Sequence, residues 1–570
     1  MAAARRLRPE AAAVSFGWRE YVGEREEVAL GEEGLLCEVA DASYRLASDL
    51  AQAWHTVGER RFLEVEGVPV GAAAQADLFH FFEPNLRLAF ILDHILETHR
   101  PSRLVFADDG SDRPALLASL LRGRGVPFDV VGRGGGRGRQ RLGLAARRIL
   151  WPAMFAAARR RARAAGGRPG AGKRGRESAG TVFWGQFGRF ELDVYRGLRA
   201  AYGDDLPYFA STLAAARAAR SGGLACESLL DRLPPRRRTQ QIFKALAASY
   251  RELERAAWLE EYDLPPGLAA FYREHFPFRP QAYLITLAMF AAAVERYLAR
   301  RPPRLLLHLS DVHMTGRLAA ELASREGIPT LVIQNHITGG PTFGYLPLSS
   351  TKMAAWGRVS YEWLVAGGAS PKKLVVVGSP YAAAATAQYG KARGEIGDSL
   401  VVATNLADPE QNRLVALACA AYARERGRRL LFRPHPVEPA GMYRKIVEYA
   451  GVPDARVAAE EPLADVLAGA AVVVAAHSGV GVDALLAGVP LVHVNLMAGI
   501  PDYLPYVEYG AALGVSRLAD LPAAIEEAWA APPGRFDAGR EAWAREYLGA
   551  EAGDPFENIV ALARELEARR

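Results

Sequence analysis

The chain has 570 residues, half of them hydrophobic and 24% charged, the composition of a globular protein too long for one core; roughly 100–200 residues per domain gives two to four. Cys37, Cys226 and Cys419 lie far apart in no metal-ligand spacing, which predicts reduced thiols and excludes a disulfide scaffold. The net charge of +6 is local: residues 131–180 hold 14 Lys/Arg against one acid, Glu177, so the remainder is mildly acidic and a chain built throughout for nucleic acid is excluded.

In chain order, the opening MAAARRLRPEAAAVSFGW lacks the apolar core of a signal peptide, and no run of about 18 apolar residues follows anywhere. Both point to a cytoplasmic protein. From Asp77 to His99 the pattern reads as a mostly apolar helix with a break at Pro84, leading into the strand RLVFAD, the loop DGSDRP, a helix and the strand PFDVVG. The same order of helix, Pro, Arg, strand, acidic loop, helix and strand recurs from Val294 to Asn335. Any strand–helix–strand unit shares that order, and both segments read as parallel α/β.

Residues 132–180 form a basic insertion whose flanks resemble linker. Its middle, 141–165, groups Trp151 and Phe155 with arginines. It suits either an anionic membrane surface or a solvated loop, and lacks the interleaved aromatics of a nucleic-acid surface. The strand TVFWGQFG then turns tightly at Gly185 and Gly188 into a helix, and 211–299 is largely helical. After Thr330 strands and helices alternate: TLVIQNH, KMAAWG, LVVVGSP, SLVVATNL, RLLFRPHP, AVVVAAHS and PLVHVNL. Such all-apolar runs belong to a sheet covered by helices on both faces. Trp356 to Val375 reads as a hinge, and the C-terminal FENIVALARELEARR as a helix crossing back to the first lobe.

Two strand ends carry the chemistry. His435, fixed between Pro434 and Pro436, is placed to donate to a phosphate or leaving-group oxygen, or is a structural histidine. Arg433 is a phosphate partner or simply solvated. His477, Ser478, Gly479, Val480 and Gly481 form a small-residue turn into a helix, where close backbone approach and the helix dipole favour phosphate. Asp483 either accepts from a ribose or is an acid favoured by the dipole.

Strand-RPHP followed by strand-HSG-helix and GVPLV resembles the C-terminal half of GT-B-fold enzymes that assemble bacterial surface polysaccharides. These include capsule-polysaccharide transferases, sialyl- and polysialyltransferases and CDP-glycerol glycerophosphotransferases. GIPTLVIQNHITGG, TKMAAWG and KLVVVGSP extend the likeness upstream, to about Pro303–Gly510. The resemblance implies an α/β protein of two Rossmann-like lobes: an acceptor-side lobe over 1–360, a nucleotide-donor lobe over 361–535, and a returning helix over 536–570. It implies that His435 contacts the donor's nucleotide phosphate. It also implies a metal- and cofactor-independent transfer of a sugar, or glycerol phosphate, from a CMP-, CDP- or UDP-linked donor to a surface glycan or lipid-linked acceptor.

The chain departs from the family in two places: Gln334-Asn335-His336 stands where Gln-His-Gly is common, and Asp483 where glutamate is usual. The general base is expected in the first lobe, with His336 first, then Asp311 beside His308 and His313. The Asp108–Asp109 pair, which resembles the acid-acid-Gly motif of bacterial sialyltransferases, comes third. No metal constellation appears. A nucleotide-sugar 2-epimerase and a catalytically silent glycan-binding scaffold are the competing expectations.

Overall fold

A computed structural model of the chain describes residues 32–107, 113–131, 180–187, 190–203, 206–229, 235–275, 278–337, 345–392, 397–405, 409–435, 438, 440–452, 454–476, 478–496 and 504–569. Asp108, Asp109, His477 and the insertion from residue 132 to 179 lie outside these.

Helices α1 (Glu32–Ala53) and α2 (Gln75–His99) pack together ahead of the first sheet. The expected break at Pro84 does not occur: α2 runs through it. Proline there deletes one N–H and crowds the preceding turn. Leu78, Phe82, Leu86, Ala89 and Leu92, one stripe at helical spacing, are nonetheless buried, and Asn85 Nδ2 donates to the Phe81 carbonyl at 2.7 Å beside the proline. Core burial of that stripe outweighs the local penalty. Strand β1 (Leu104–Ala107), α3 (Arg113–Gly123) and β2 (Phe128–Val131) make a parallel two-stranded sheet of their own.

The first large sheet begins after the insertion. It contains β3 (Thr181–Gly185), β4 (Tyr208–Ala210), β5 (Glu227–Ser228), β6 (Leu305–His308), β7 (Thr330–Ile333), β8 (Lys352–Ala355) and β9 (Leu374–Val376). Their spatial order is β9-β8-β7-β6-β3-β4-β5, all parallel. Between them run α4 (Phe190–Tyr202), α5 (Leu213–Ser221), α6 (Arg236–Arg255), α7 (Leu268–His275), α8 (Phe278–Arg300), α9 (Met314–Arg325) and α10 (Arg358–Ala366). The expected hinge stretch, 356–375, therefore belongs to this sheet as α10 and β9. The passage between lobes falls later, at α11 (Pro380–Ala392), which packs against α4 on one side and the second lobe on the other.

The second sheet contains β10 (Ser399–Ala403), β11 (Arg429–Arg433), β12 (Arg456–Val457), β13 (Ala470–Ala475), β14 (Leu491–Val494) and β15 (Leu513–Val515). Its order is β12-β11-β10-β13-β14-β15, again parallel throughout. Its helices are α12 (Pro409–Arg426), α13 (Gly441–Ala450), α14 (Leu463–Ala468), α15 (Gly479–Ala487), α16 (Leu521–Ala530) and α17 (Asp537–Leu548). Every residue of β13 is buried, the outcome expected of an apolar run with helices on both faces. Helix α18 (Pro555–Ala568) is capped by Asp554, whose side chain accepts from the Phe556 and Glu557 amides. It returns to the first lobe, where Ile559, Ala563 and Leu566 join Phe183, Leu198 and Leu305 in one cluster.

Both large sheets run outward from a central strand, back to its other side, and outward again, the doubly wound order of dinucleotide-binding sheets. The fold is thus α/β with two Rossmann-like lobes, the arrangement of GT-B proteins.

Candidate functional site

In an open parallel sheet the ligand crevice lies beyond the carboxyl ends of the two strands where the winding reverses. In the first lobe these are β3 and β6, ending in Gly185–Phe187 and Leu309–His313. In the second they are β10 and β13, ending in Thr404–Asn405 and Ala476–Ser478.

The two crevices differ in the donors they offer. In the first lobe the Gln186 and Phe187 amides both donate to Glu191 Oε2, each at 3.0 Å, and the Tyr208 hydroxyl donates to Oε1. Glu191 is buried on α4, and burial pushes its carboxyl above the usual range against the pull of those hydrogen bonds. The turn's amides are thus taken by an internal carboxylate. Gln186 also reaches across the crevice, accepting from the Leu309 and Ser310 amides at 3.1 and 3.0 Å and donating to the Ser310 carbonyl at 2.9 Å. Gly316 on α9 makes room for it: a Cβ there would come within 2.0 Å of Gln186 Nε2 and of the Ser310 oxygen.

Among the described residues of the second lobe, no carboxylate accepts from the amides of the Ser478–Gly481 turn. Ser478 caps α15, its Oγ accepting from the Val480 amide and donating to the Thr404 carbonyl, both at 3.3 Å. The Gly481 amide is bonded to the Ser478 carbonyl at 2.9 Å. Gly479, exposed at the helix start, has nothing within 4 Å of an added Cβ, whereas a Cβ on Gly481 would press on the Tyr506 hydroxyl at 3.1 Å. Of the two glycines, Gly479 faces open space and Gly481 packs against Tyr506.

His435 is half-buried at the end of β11, and burial pushes its imidazole below the usual range against the opposing charge of Glu438. Glu438 was not expected from the sequence, yet it organises this corner. Its Oε2 accepts from the His435 amide at 3.2 Å and the Thr404 hydroxyl at 2.5 Å; its Oε1 accepts from Asn412 at 3.3 Å and from the Tyr443 hydroxyl. The Glu438 amide donates in turn to the His435 carbonyl at 2.8 Å, closing the turn on itself. The acid three residues after the histidine was the available signal.

Two expected donor-site residues are committed elsewhere. The half-buried Arg433 gives its Nη1 to the carbonyls of Ala458, Ala459 and Glu461 at 2.6, 3.2 and 2.9 Å, latching β11 to the loop before α14. Asp483 is buried in the second turn of α15, and its Oδ1 accepts from Tyr381 and Tyr389 of α11 at 2.5 and 2.6 Å in place of a ribose. Burial pushes its carboxyl up to about 6.

Of the expected bases, Asp311 is buried and saturated. Its Oδ2 accepts from the Ser349 and Ser350 amides at 2.8 and 2.9 Å and its Oδ1 from the Ser350 hydroxyl at 2.7 Å, an anchor for the turn before β8. His308 is buried with it, Nε2 2.8 Å from Ser350 Oγ. His336 differs. It is exposed at the end of β7, and desolvation pushes its imidazole down to about 4. Its Nδ1 lies 2.8 Å from Asn335 Oδ1, which also accepts from the Tyr345 hydroxyl, while Tyr345 stacks on the imidazole with centroids 4.9 Å apart. An amide oxygen only accepts, so Nδ1 carries the proton and Nε2 the lone pair. The next residue, Ile337, packs against the hydrophobic cluster that also takes Val480 and Val482 of α15.

Among the described residues no group of three or more His, Cys, Asp and Glu is placed to hold a metal ion, and no helix is long and apolar enough to cross a membrane.

No protein-family model and no curated protein matches the chain. Solved structures do. A UDP-GlcNAc 2-epimerase from Methanocaldococcus jannaschii is similar over 68% of this chain and 99% of its own, at 12% identity and a TM-score of 0.42. MurG of Acinetobacter baumannii matches over 68% and 100%, at 11% identity and 0.39. Anabaena Alr3699/HepE, solved with UDP and glucose, matches over 68% and 100%, at 14% identity and 0.41. The strand orders above, rather than these likenesses, define the fold.

Proposed function

We propose that the chain is a nucleotide-sugar-dependent transferase of GT-B type, working in the cleft between its lobes. The nucleotide of an activated donor (CMP-, CDP- or UDP-linked) sits in the second lobe, and a hydroxyl of a glycan or lipid-linked acceptor approaches from the first. The asymmetry between the crevices carries this reading. A phosphate in the first lobe would meet amides already given to Glu191, whereas in the second it would meet the open Gly479 end of α15, with the half-buried His435 ring, whose own amide goes to Glu438, as the nearby side-chain donor. His435 and the helix end would stabilise charge on the departing nucleotide. His336, neutral and with its lone pair on Nε2, would take the acceptor's proton.

Thermal unfolding in the presence of CMP, CDP, UDP and GDP tests the donor half: a nucleotide at 100 times its Kd stabilises by about 2.7 kcal/mol. His435→Ala should abolish that shift. The chemistry is tested by incubating the nucleotide-sugar alone and with acceptor glycans. Transfer only when acceptor is present supports the proposal. Isomerised sugar without acceptor would make the chain an epimerase.

A further inference from the structure

His313 caps α9 at the first-lobe switch point, and neither the donor site nor the proposed base uses it. A chain of hydrogen bonds fixes its proton. The Ser211 hydroxyl donates to the Gly185 carbonyl at 2.7 Å, and a carbonyl can only accept, so the serine's one proton is spent there. The 2.8 Å contact between Ser211 Oγ and Thr315 Oγ1 must then be threonine donating to serine. With Thr315's proton spent in turn, its 3.2 Å contact with His313 Nδ1 leaves the imidazole as donor. Ser211 and Thr315 are both buried, so no water competes for these protons. His313 is therefore an Nδ1–H imidazole with a bare Nε2, the same state that Asn335 imposes on His336 one strand away. Desolvation keeps both neutral, each pushed down to about 4. The half-buried Phe187 meets the His313 ring edge-on, centroids 5.4 Å apart.

We infer that this crevice is the acceptor subsite and takes a neutral sugar ring, with His313 Nε2 accepting from a sugar hydroxyl and Phe187 packing on the apolar face of the ring. An imidazole lone pair suits a hydroxyl donor. An anion there would face that lone pair beside the buried Glu191, with the local amides already engaged. The inference rests on the reading that the first lobe receives the acceptor.

The test uses the full chain labelled with ¹⁵N-histidine, with His313→Gln identifying the resonance. Long-range ¹H–¹⁵N correlation at pH 7.5 should report His313 as the Nδ1–H tautomer, and Thr315→Val should let the Nε2–H form appear. With UDP present, the methyl α- and β-glycosides of glucose and N-acetylglucosamine are titrated. At least one should move the His313 Nε2 resonance, and Phe187→Ala should weaken that glycoside about tenfold, the equivalent of 1.4 kcal/mol. An Nε2–H tautomer in the wild type would overturn the inference. So would inorganic phosphate moving the resonance in place of every glycoside, or no response to any of these probes. The His435 resonance reports the other lobe: if UDP leaves it unmoved, the donor reading fails while the His313 result stands on its own.

Discussion

Replacing Asp483 with Asn removes a buried negative charge while keeping an oxygen for the Tyr381 and Tyr389 hydroxyls. The carboxyl titrates near 6 in the fold against an ordinary value of 3.8. At 1.36 kcal/mol per pH unit, keeping it ionised at pH 7.5 costs the fold about 3 kcal/mol. The sign follows from the raised folded value. The native state holds the proton where the unfolded chain has released it, so this cost is absent below about 3.8 and grows as pH rises to about 6. Whatever the amide's own packing costs, it does not titrate. Urea denaturation of wild type and Asp483→Asn at pH 4, 5, 6 and 7.5 should therefore show the variant gaining on wild type by about 3 kcal/mol between the extremes. Asp483→Ala should fall below the Asn variant at every pH and below wild type at pH 4, because two buried hydroxyls lose their acceptor at about 1–3 kcal/mol each. A wild-type-to-Asn difference that is flat in pH would refute the claim that this charge is buried against α11.

His336→Ala should abolish transfer while leaving nucleotide stabilisation intact. With the imidazole held near 4 by desolvation, the wild-type pH–rate profile should be flat from 6 to 8, and a step centred near 6.5 would contradict His336 as the base in that state. Glu438→Ala should lower nucleotide affinity at least tenfold, since the Thr404, His435 and Asn412 donors lose their common acceptor; calorimetric titration reads this directly. Gly316→Ala forces a methyl against Gln186 and the Ser310 carbonyl, and overpacking of this kind costs about 1–3 kcal/mol or more in chemical denaturation.

The second lobe was legible because its strands are apolar runs and its turns are punctuated by proline and glycine. Ser399–Ala403, Arg429–Arg433, Ala470–Ala475 and Leu491–Val494 fall where the pattern puts them. Partnership was not legible. The two strand–helix–strand segments read alike, but one stands at the centre of the seven-stranded sheet and the other pairs only with itself. Strand pairing is decided by contacts far apart in sequence, which local periodicity does not encode. The same limit explains the site. Spacing brought His435, Ser478 and His336 to strand ends, but the partners that occupy Asp483 and Arg433 come from α11 and from the loop before α14. Glu191, Gln186 and Glu438 escaped notice because an acid or amide near a turn reads as an ordinary exposed side chain until its buried partners are seen.

We propose that a nucleotide's phosphates bind at the second-lobe switch point, at the ends of β10 and β13. Calorimetric titration of CMP, CDP and UDP into wild type, His435→Ala and His336→Ala tests it most directly. At least one nucleotide should bind wild type and His336→Ala with equal affinity and fail to bind His435→Ala. Equal binding to all three proteins, or binding lost only in the first-lobe variant, would contradict the account.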